Sequence, residues 1–142
     1  MRSYSEEARE LLLEFGLIDL HIDSFIPKRL FGYDLDSSHD HPRNPNIFFG
    51  QLDFPRALEQ GMTAGMFSIT TNPIGTPNYR WKVFQKNLRA LKTLIESSKH
   101  PVGWATTYSE MKELNDAGIL ACLPAIQGGN SIEGAPELAL SI

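Results

Sequence analysis

The sequence predicts an α/β protein whose strands pair in parallel. Segments with the period of a strand alternate along the chain with segments that have the period of a helix. A parallel connection needs a crossover, so this alternation favours parallel pairing over hairpins. No internal repeat, low-complexity tract or linker interrupts the pattern, and residues 1–142 are therefore interpreted as a single unit.

The first helix and the first strand are predicted from capping signals and periodicity. Ser3 and Glu6 have the spacing of a capping box, and apolar residues then recur at helical intervals up to Gly16. Residues 17–23 change to a period of two, which indicates a strand with one apolar and one ionisable face. The ionisable face consists of Leu17, Asp19, His21 and Asp23.

The next segment, residues 24–52, is predicted to be a long loop because it contains three prolines and two glycines. Loops of this length in compact domains are usually functional or disordered. Asp53 is placed to cap a short helix that follows the loop. Residues 62–71 are small and apolar, and they predict a second strand that is covered on both faces.

The second half of the chain begins with a long helix that opens at Thr76-Pro77. Its periodicity assigns Arg80 to the solvent face together with the lysines. A short stretch at 102–106 leads to a helix that is capped by Thr107, and residues 119–126 predict a buried strand. After this strand, Gln127-Gly128-Gly129-Asn130 is predicted to form a loop, and the start of a further helix follows it.

Composition excludes several classes of protein. The net charge of −4 argues against a nucleic-acid binder that depends on overall electrostatics. No apolar run reaches the roughly 18 residues that span a bilayer, and the acidic N-terminal segment does not resemble a signal peptide. The single Cys122 cannot form an internal disulfide, so a cytoplasmic location is expected.

His21 and Asp23 are the strongest candidates for a chemical role. Two residues apart on a strand, their side chains leave the same face and can reach one metal ion beyond the strand's C-terminal end. An imidazole nitrogen and a carboxylate oxygen suit a borderline ion such as zinc. The alternative is a strand-end histidine that is hydrogen-bonded to a neighbouring carboxylate. Asp19 is interpreted either as an acceptor for the histidine or as a partner of a backbone donor or of a cation deeper in the fold.

Other candidates are weaker. His39-Asp40-His41 is interpreted mainly as a solvated loop, with a lid that contacts metal or substrate as the alternative. Gly128 and Gly129 are expected to serve turn geometry, although their amides could also bind an anion. Cys122 is expected to be a buried structural thiol. Tyr33 and Arg43 are placed in the long loop, where they could meet a substrate.

Asp19-Leu20-His21-Ile22-Asp23 is the first of three segments that together resemble one family, and it resembles the opening metal motif of the membrane (renal) dipeptidase family of metallopeptidases. Gln51-Leu52-Asp53-Phe54-Pro55-Arg56, followed by residues 61–70, is similar to its second-strand region. Residues 119–133 fall where the family has a strand followed by an acidic-Gly-Gly-His turn. The resemblance extends from about residue 16 to the end of the sequence.

This resemblance implies a TIM-type (β/α)8 barrel with a binuclear zinc site at its mouth. His21 and Asp23 would be ligands of one zinc ion, the family's bridging glutamate would fall at Gln127, and its following histidine at Asn130. Both positions depart from the family, and a neutral Gln127 cannot offset the repulsion between two dications. The resemblance implies one or two zinc ions for the family's site. Because of these two departures, one zinc ion or none is expected in this chain. A barrel needs about 250 residues, so residues 1–142 would hold only its first three or so strand–helix units.

Three functional hypotheses follow. In the first, the chain is a segment of a metal-dependent hydrolase that cleaves dipeptide or related amide bonds with a metal-activated water. Its partners would be a small peptide substrate and either a second copy or a completing chain, with no nucleic acid and no membrane segment. The second is a non-catalytic fragment or degenerate barrel module that acts structurally or binds a partner. The third is a self-contained, flavodoxin-like domain that binds a small anion near Gly128 and Gly129.

Overall fold

The computed structural model describes residues 5–39, 52–133 and 136–137, without the side chain of Arg9. Helices and parallel strands alternate along the chain, as the sequence predicts. The elements are α1 (Glu6–Phe15), β1 (Leu17–Ile22), α2 (Phe25–Phe31), α3 (Phe54–Glu59), β2 (Met62–Thr70), α4 (Pro77–Glu96), β3 (Val102–Trp104), α5 (Tyr108–Asp116), β4 (Leu120–Gln127) and a 3-10 turn at Gly129–Ser131.

The strands form one parallel sheet in the order β1-β2-β4-β3. The chain passes beyond the place of β4 to form the short β3 and then returns through α5. A right-handed crossover that reverses direction places its helix on the opposite face of the sheet. Accordingly, α4 packs with Phe67 and Cys122, whereas α5 packs with Ala64 and Ala121 on the other face.

The first helix begins later than the capping box predicts. Ser5 is the N-cap, and its hydroxyl accepts a hydrogen bond from the amide of Ala8 at 3.2 Å. Ser3, the expected cap, lies outside the described residues. The capping-box spacing favours Ser3 because Ser5 has Ala8, and not a glutamate, three residues on; the Ser5 hydroxyl nevertheless caps the helix by itself.

The predicted loop at 24–52 contains a helix, α2, which the sequence reading missed. Pro27 lies in the first turn of α2, where a missing amide proton breaks no helical hydrogen bond. Phe25 and Pro27 are buried, and Gly32 ends the helix with φ 69° in the left-handed region. The content of prolines and glycines predicts a loop, whereas Pro27 at this position is compatible with the start of a helix.

The other predicted caps are confirmed. The Asp53 carboxylate accepts from the amide of Arg56 at 2.9 Å, and the Thr76 hydroxyl accepts from that of Tyr79 at 3.3 Å. Thr107 and Glu110 form a reciprocal capping box at the start of α5. These caps determine where α3, α4 and α5 begin, and each of these helices precedes a strand of the sheet.

The assignment of Arg80 to solvent is wrong. Arg80 is only 7% exposed, although it lies on a helix whose lysines face water. Its guanidinium donates to the carbonyls of Gly75 at 2.6 Å and Asn130 at 2.8 Å, and it pairs with Glu133. Helical periodicity cannot reveal this, because the loops after β2 and β4 cover the first turn of α4.

The outer edge of β1 is apolar and exposed in the described part of the chain. Leu20 is 70% exposed, and Phe15, Leu17 and Ile18 are also accessible. An unpaired strand edge with exposed apolar side chains is typical of a surface that another element covers. None of the described helices combines the length and the apolar character needed to cross a bilayer.

Candidate metal centre

The structure brings His21 and Asp23 together at the C-terminal end of β1. Nε2 of His21 lies 3.2 Å from Oδ2 of Asp23, and the two side chains are 57% and 37% exposed. The period-two spacing therefore places both groups on one side of the strand, as predicted. The same contact is an ordinary hydrogen bond in the absence of a cation, so further features must distinguish the two interpretations.

The second carboxylate oxygen of Asp23 supplies such a feature. Oδ1 is buried and has no hydrogen-bond partner within the described structure. Leaving a buried acceptor unsatisfied costs about 1–3 kcal/mol, and more for a charged group. A carboxylate with one oxygen against an imidazole and the other buried without a donor is a fitting ligand for a cation.

The His21 ring is oriented by polar groups that sequence reasoning did not select. Its Nδ1 lies 3.4 Å from Oγ of Ser68 on β2. Strand β1 has a bulge at this point: two of its residues lie between Asp19 and Ile22, whereas β2 has one residue between their partners, Gly65 and Phe67. A bulge of this kind changes the direction in which the neighbouring side chains point. Ser68 could have been found from its position, because it is a hydroxyl residue near the C-terminal end of a strand.

Asp19 binds the backbone of His21 and not its imidazole ring. Its Oδ1 accepts a hydrogen bond from the backbone amide of His21 at 2.9 Å. The carboxylate thus fixes the main chain at the histidine, while the Ser68 hydroxyl faces the ring.

Gln127 joins the same cluster from β4. Its Nε2 lies 3.4 Å from Nε2 of His21, and its Oε1 accepts a hydrogen bond from the hydroxyl of Thr70. Thr70 and Gln127 are register partners in the parallel pair of β2 and β4. The position that the resemblance assigned to the bridging ligand is therefore close to the histidine, but it presents a neutral amide.

Asn130 and Glu133 are bound to other groups. The Thr71 hydroxyl donates to Oδ1 of Asn130 at 2.6 Å, and the Glu133 carboxylate pairs with Arg80. Gly128 has φ 76°, so this residue serves the sharp turn after β4, as expected.

The expectation of a solvated loop is wrong for His39. Its amide donates to Oδ2 of Asp53 at 3.0 Å, its Nδ1 lies 3.2 Å from the same oxygen, and its ring stacks on Tyr33. Tyr33 is itself buried and receives a hydrogen bond from Arg56, so it belongs to the core and does not face a substrate. Asp40, His41 and Arg43 lie outside the described residues.

Cys122 is a buried structural thiol, as predicted. Burial raises its pKa to about 12, so the thiolate that a nucleophile requires is suppressed near neutral pH. Within the ranges that the structure describes, no cluster holds three or more His, Cys, Asp or Glu residues in reach of one ion. His21 and Asp23 are therefore a pair of donors rather than a complete ligand set.

Comparison with known proteins identifies the family. The model of the membrane dipeptidase family (peptidase family M19) matches residues 5–140. The solved structure of dipeptidase AC, a metallopeptidase of family M19, is 20% identical with a TM-score of 0.67, and the match covers 88% of this chain and 38% of that one. A metallopeptidase from Rhodobacter sphaeroides, solved with a phosphinate mimic of the dipeptide L-Ala-D-Ala, is 19% identical with a TM-score of 0.61, over 88% of this chain and 41% of that one. No curated protein sequence matches.

These matches agree with the parallel sheet and with its free edge. The chain spans about two fifths of the length of the solved structures that it resembles. The four-stranded unit is thus an incomplete barrel, which confirms the predicted fold class. Because the family model matches residues 5–140, which is nearly the whole of this chain, the chain belongs to the membrane dipeptidase family of metallopeptidases.

Proposed function

We propose that His21 and Asp23 hold a zinc ion in a hydrolase that cleaves dipeptides or related amide bonds. The observation that supports this most strongly is the buried, unpartnered Oδ1 of Asp23, next to an imidazole 3.2 Å from the other carboxylate oxygen. Since the chain spans about two fifths of its structural neighbours, residues outside it would complete the site. The 142 residues alone are not expected to be catalytically competent.

The residues present fit a zinc ion in their chemistry. Imidazole nitrogen and carboxylate oxygen are ligands that zinc takes in a tetrahedral set, and the described residues at the end of β1 offer one of each. A zinc ion held there would supply Lewis acidity, which polarises an amide carbonyl and lowers the pKa of water to near neutrality. The exposed positions of both side chains leave room for a substrate to approach.

The surrounding residues prepare His21 for this role. Asp19 fixes its backbone, and the Ser68 hydroxyl can accept the proton of Nδ1 at 3.4 Å. A histidine that donates through one ring nitrogen keeps the lone pair of the other for a ligand bond. Nε2 is the nitrogen that faces Asp23 and Gln127.

The donor set supports one ion rather than two. Two dications about 4 Å apart repel strongly, and a bridging anion makes such a pair tolerable. Gln127 brings no charge, and its Oε1 already accepts from Thr70. Asn130, with its oxygen bound to Thr71, also contributes no anion.

The alternative is a non-catalytic module that acts structurally or binds a partner. The specific observation in its favour is that the described part of the chain places only two ionisable ligands at the site. In that case the exposed edge of β1 would be the functional surface, covered by a second copy or by a completing chain. Zinc binding distinguishes the two functions.

Zinc titration of the metal-free chain by calorimetry tests the proposal. We expect His21→Ala and Asp23→Ala each to weaken zinc binding by more than about 100-fold, because even the loss of residues that only orient a ligand costs about 10- to 100-fold. Ser68→Ala, which removes a group that orients the ring, should cost about 10-fold.

His100→Gln is the matched control, because this histidine precedes β3 and its Nε2 contacts the carbonyl of Asp36 at 2.9 Å. Its zinc affinity should equal that of the parent chain. Zinc binding that the parent shows and that both alanine variants retain in full would refute the metal site and favour the non-catalytic module.

A further inference from the structure

The side-chain amide of Gln127 is held in one orientation at the C-terminal end of β4. Gln127 is the last residue of that strand, and Thr70 is its register partner on β2. The Thr70 hydroxyl donates to Oε1 of Gln127, so the oxygen end of the amide faces β2. The nitrogen end faces the candidate metal centre, where Nε2 of Gln127 lies 3.4 Å from Nε2 of His21. The side chain therefore presents N–H groups, and not its oxygen, to the proposed metal ligand.

These N–H groups have few acceptors. A glutamine nitrogen carries two protons, and the His21 ring is its one hydrogen-bond contact in the part of the chain that the structure describes. A cation that takes the lone pair of the ring nitrogen would leave the amide without this acceptor as well. Two neutral donors would then lie beside the ligand nitrogen on a side chain that is partly exposed.

Two neutral donors beside a cation site fit the oxygen of an amide carbonyl. Such an oxygen accepts two hydrogen bonds, and negative charge develops on it when the amide is hydrolysed. Donors that are oriented in advance stabilise this charge without reorganisation, and side-chain amides are among the groups that do so. The Thr70 hydroxyl orients this donor, because without it the amide would be free to turn by 180° and present its oxygen instead.

We propose that Gln127 donates a hydrogen bond to the carbonyl oxygen of the amide bond that is cleaved, and that Thr70 is the residue that positions it. This assignment rests on the proposed peptide hydrolysis. It gives Gln127 a catalytic role that needs no negative charge, so the neutral side chain at this position is compatible with hydrolysis that uses a single zinc ion.

The test is an NMR titration of the 15N-labelled, metal-free chain with two preformed zinc complexes. Acetohydroxamate brings a carbonyl oxygen to zinc, whereas 2-aminoethanethiol binds zinc through nitrogen and sulfur and brings none. The side-chain amide protons of Gln127 should lie further downfield with the first complex than with the second. Gln127→Met should lower the ratio of the two affinities about tenfold, because it loses a hydrogen bond to a charged oxygen. Gln60→Met, the same change at an exposed position, should keep the parent ratio.

The positioning role of Thr70 has its own pair of variants. Thr70→Val removes the hydroxyl that orients the amide, so the ratio of the two affinities should fall towards that of Gln127→Met. Thr70→Ser keeps the hydroxyl and should restore the parent ratio. A role in stability alone would lower both affinities together and leave their ratio unchanged, which would contradict the positioning role.

The same Gln127 signal with both complexes, or an unchanged ratio in Gln127→Met, would overturn the proposal. The signal of the parent chain decides the matter even if a variant does not fold. Failure of the zinc site is recognised separately, because neither complex would then shift the ring signals of His21, and this result would overturn both proposals. A shifted His21 ring beside an unresponsive Gln127 amide would overturn only the assignment of Gln127.

Discussion

Replacing Asp53 with alanine should lower the free energy of unfolding by about 3 kcal/mol. Asp53 is completely buried, caps α3, pairs with Arg56 at 2.6 Å, and accepts the amide of His39 at 3.0 Å. Removing one partner of a buried ion pair costs about 3–5 kcal/mol, and we expect the lower limit because Arg56 is partly exposed and can regain water. Urea denaturation followed by circular dichroism measures the change.

Two variants provide the controls. Asp53→Asn keeps one oxygen for the capping bond from the Arg56 amide but loses the charge and the oxygen that accepts from His39 and from the Arg56 side chain, so it should retain only the capping contribution of about 1 kcal/mol. Asp116→Ala removes an exposed ion pair with Lys112 on α5 and should cost less than about 0.5 kcal/mol. A cost for Asp53→Ala no larger than that for Asp116→Ala would contradict the structural role assigned to this carboxylate.

Replacing Gln127 with glutamate should strengthen zinc binding by about 10- to 100-fold. The side chain lies 3.4 Å from Nε2 of His21, so the substitution adds a negative charge and a second oxygen beside the two proposed ligands. Affinity for a cation increases with the number of charged ligands around it. Calorimetric titration of the metal-free variant gives both the affinity and the number of zinc ions bound.

Gln60→Glu is the matched control, since it makes the same chemical change at an exposed position after α3. It should leave zinc affinity unchanged and thereby exclude a general effect of net charge. An unchanged affinity in Gln127→Glu would contradict the placement of Gln127 beside the metal ligands.

The fold was predictable where local signals determine it. Asp53, Thr76 and Thr107 are helix caps in the sequence and in the structure, because a capping side chain needs only the amides of the next turn. The strand order was not predictable, because the crossing of β3 beyond β4 depends on long-range pairing. Helix α2 was missed because Pro27 can either end a helix or lie in its first turn.

The candidate site was predictable for residues on one strand and not for residues that meet across strands. His21 and Asp23 share a face by the period of a strand, so their proximity follows from two positions alone. Ser68 and Thr70 reach the site only through the register of β2 against its neighbours. Arg80 illustrates the same limit, because two of its partners, Asn130 and Glu133, lie after β4 and are 50 and 53 residues away in sequence.

The most direct test of the metal centre is a 1H–15N spectrum of the histidine ring nitrogens, recorded while zinc is added to the metal-free chain. Coordination by His21 predicts a large shift of its Nε2 signal at saturation, while Nδ1, which faces Ser68, keeps its proton. His100 should be unaffected. A His21 ring that remains unchanged while zinc saturates the protein would contradict the account.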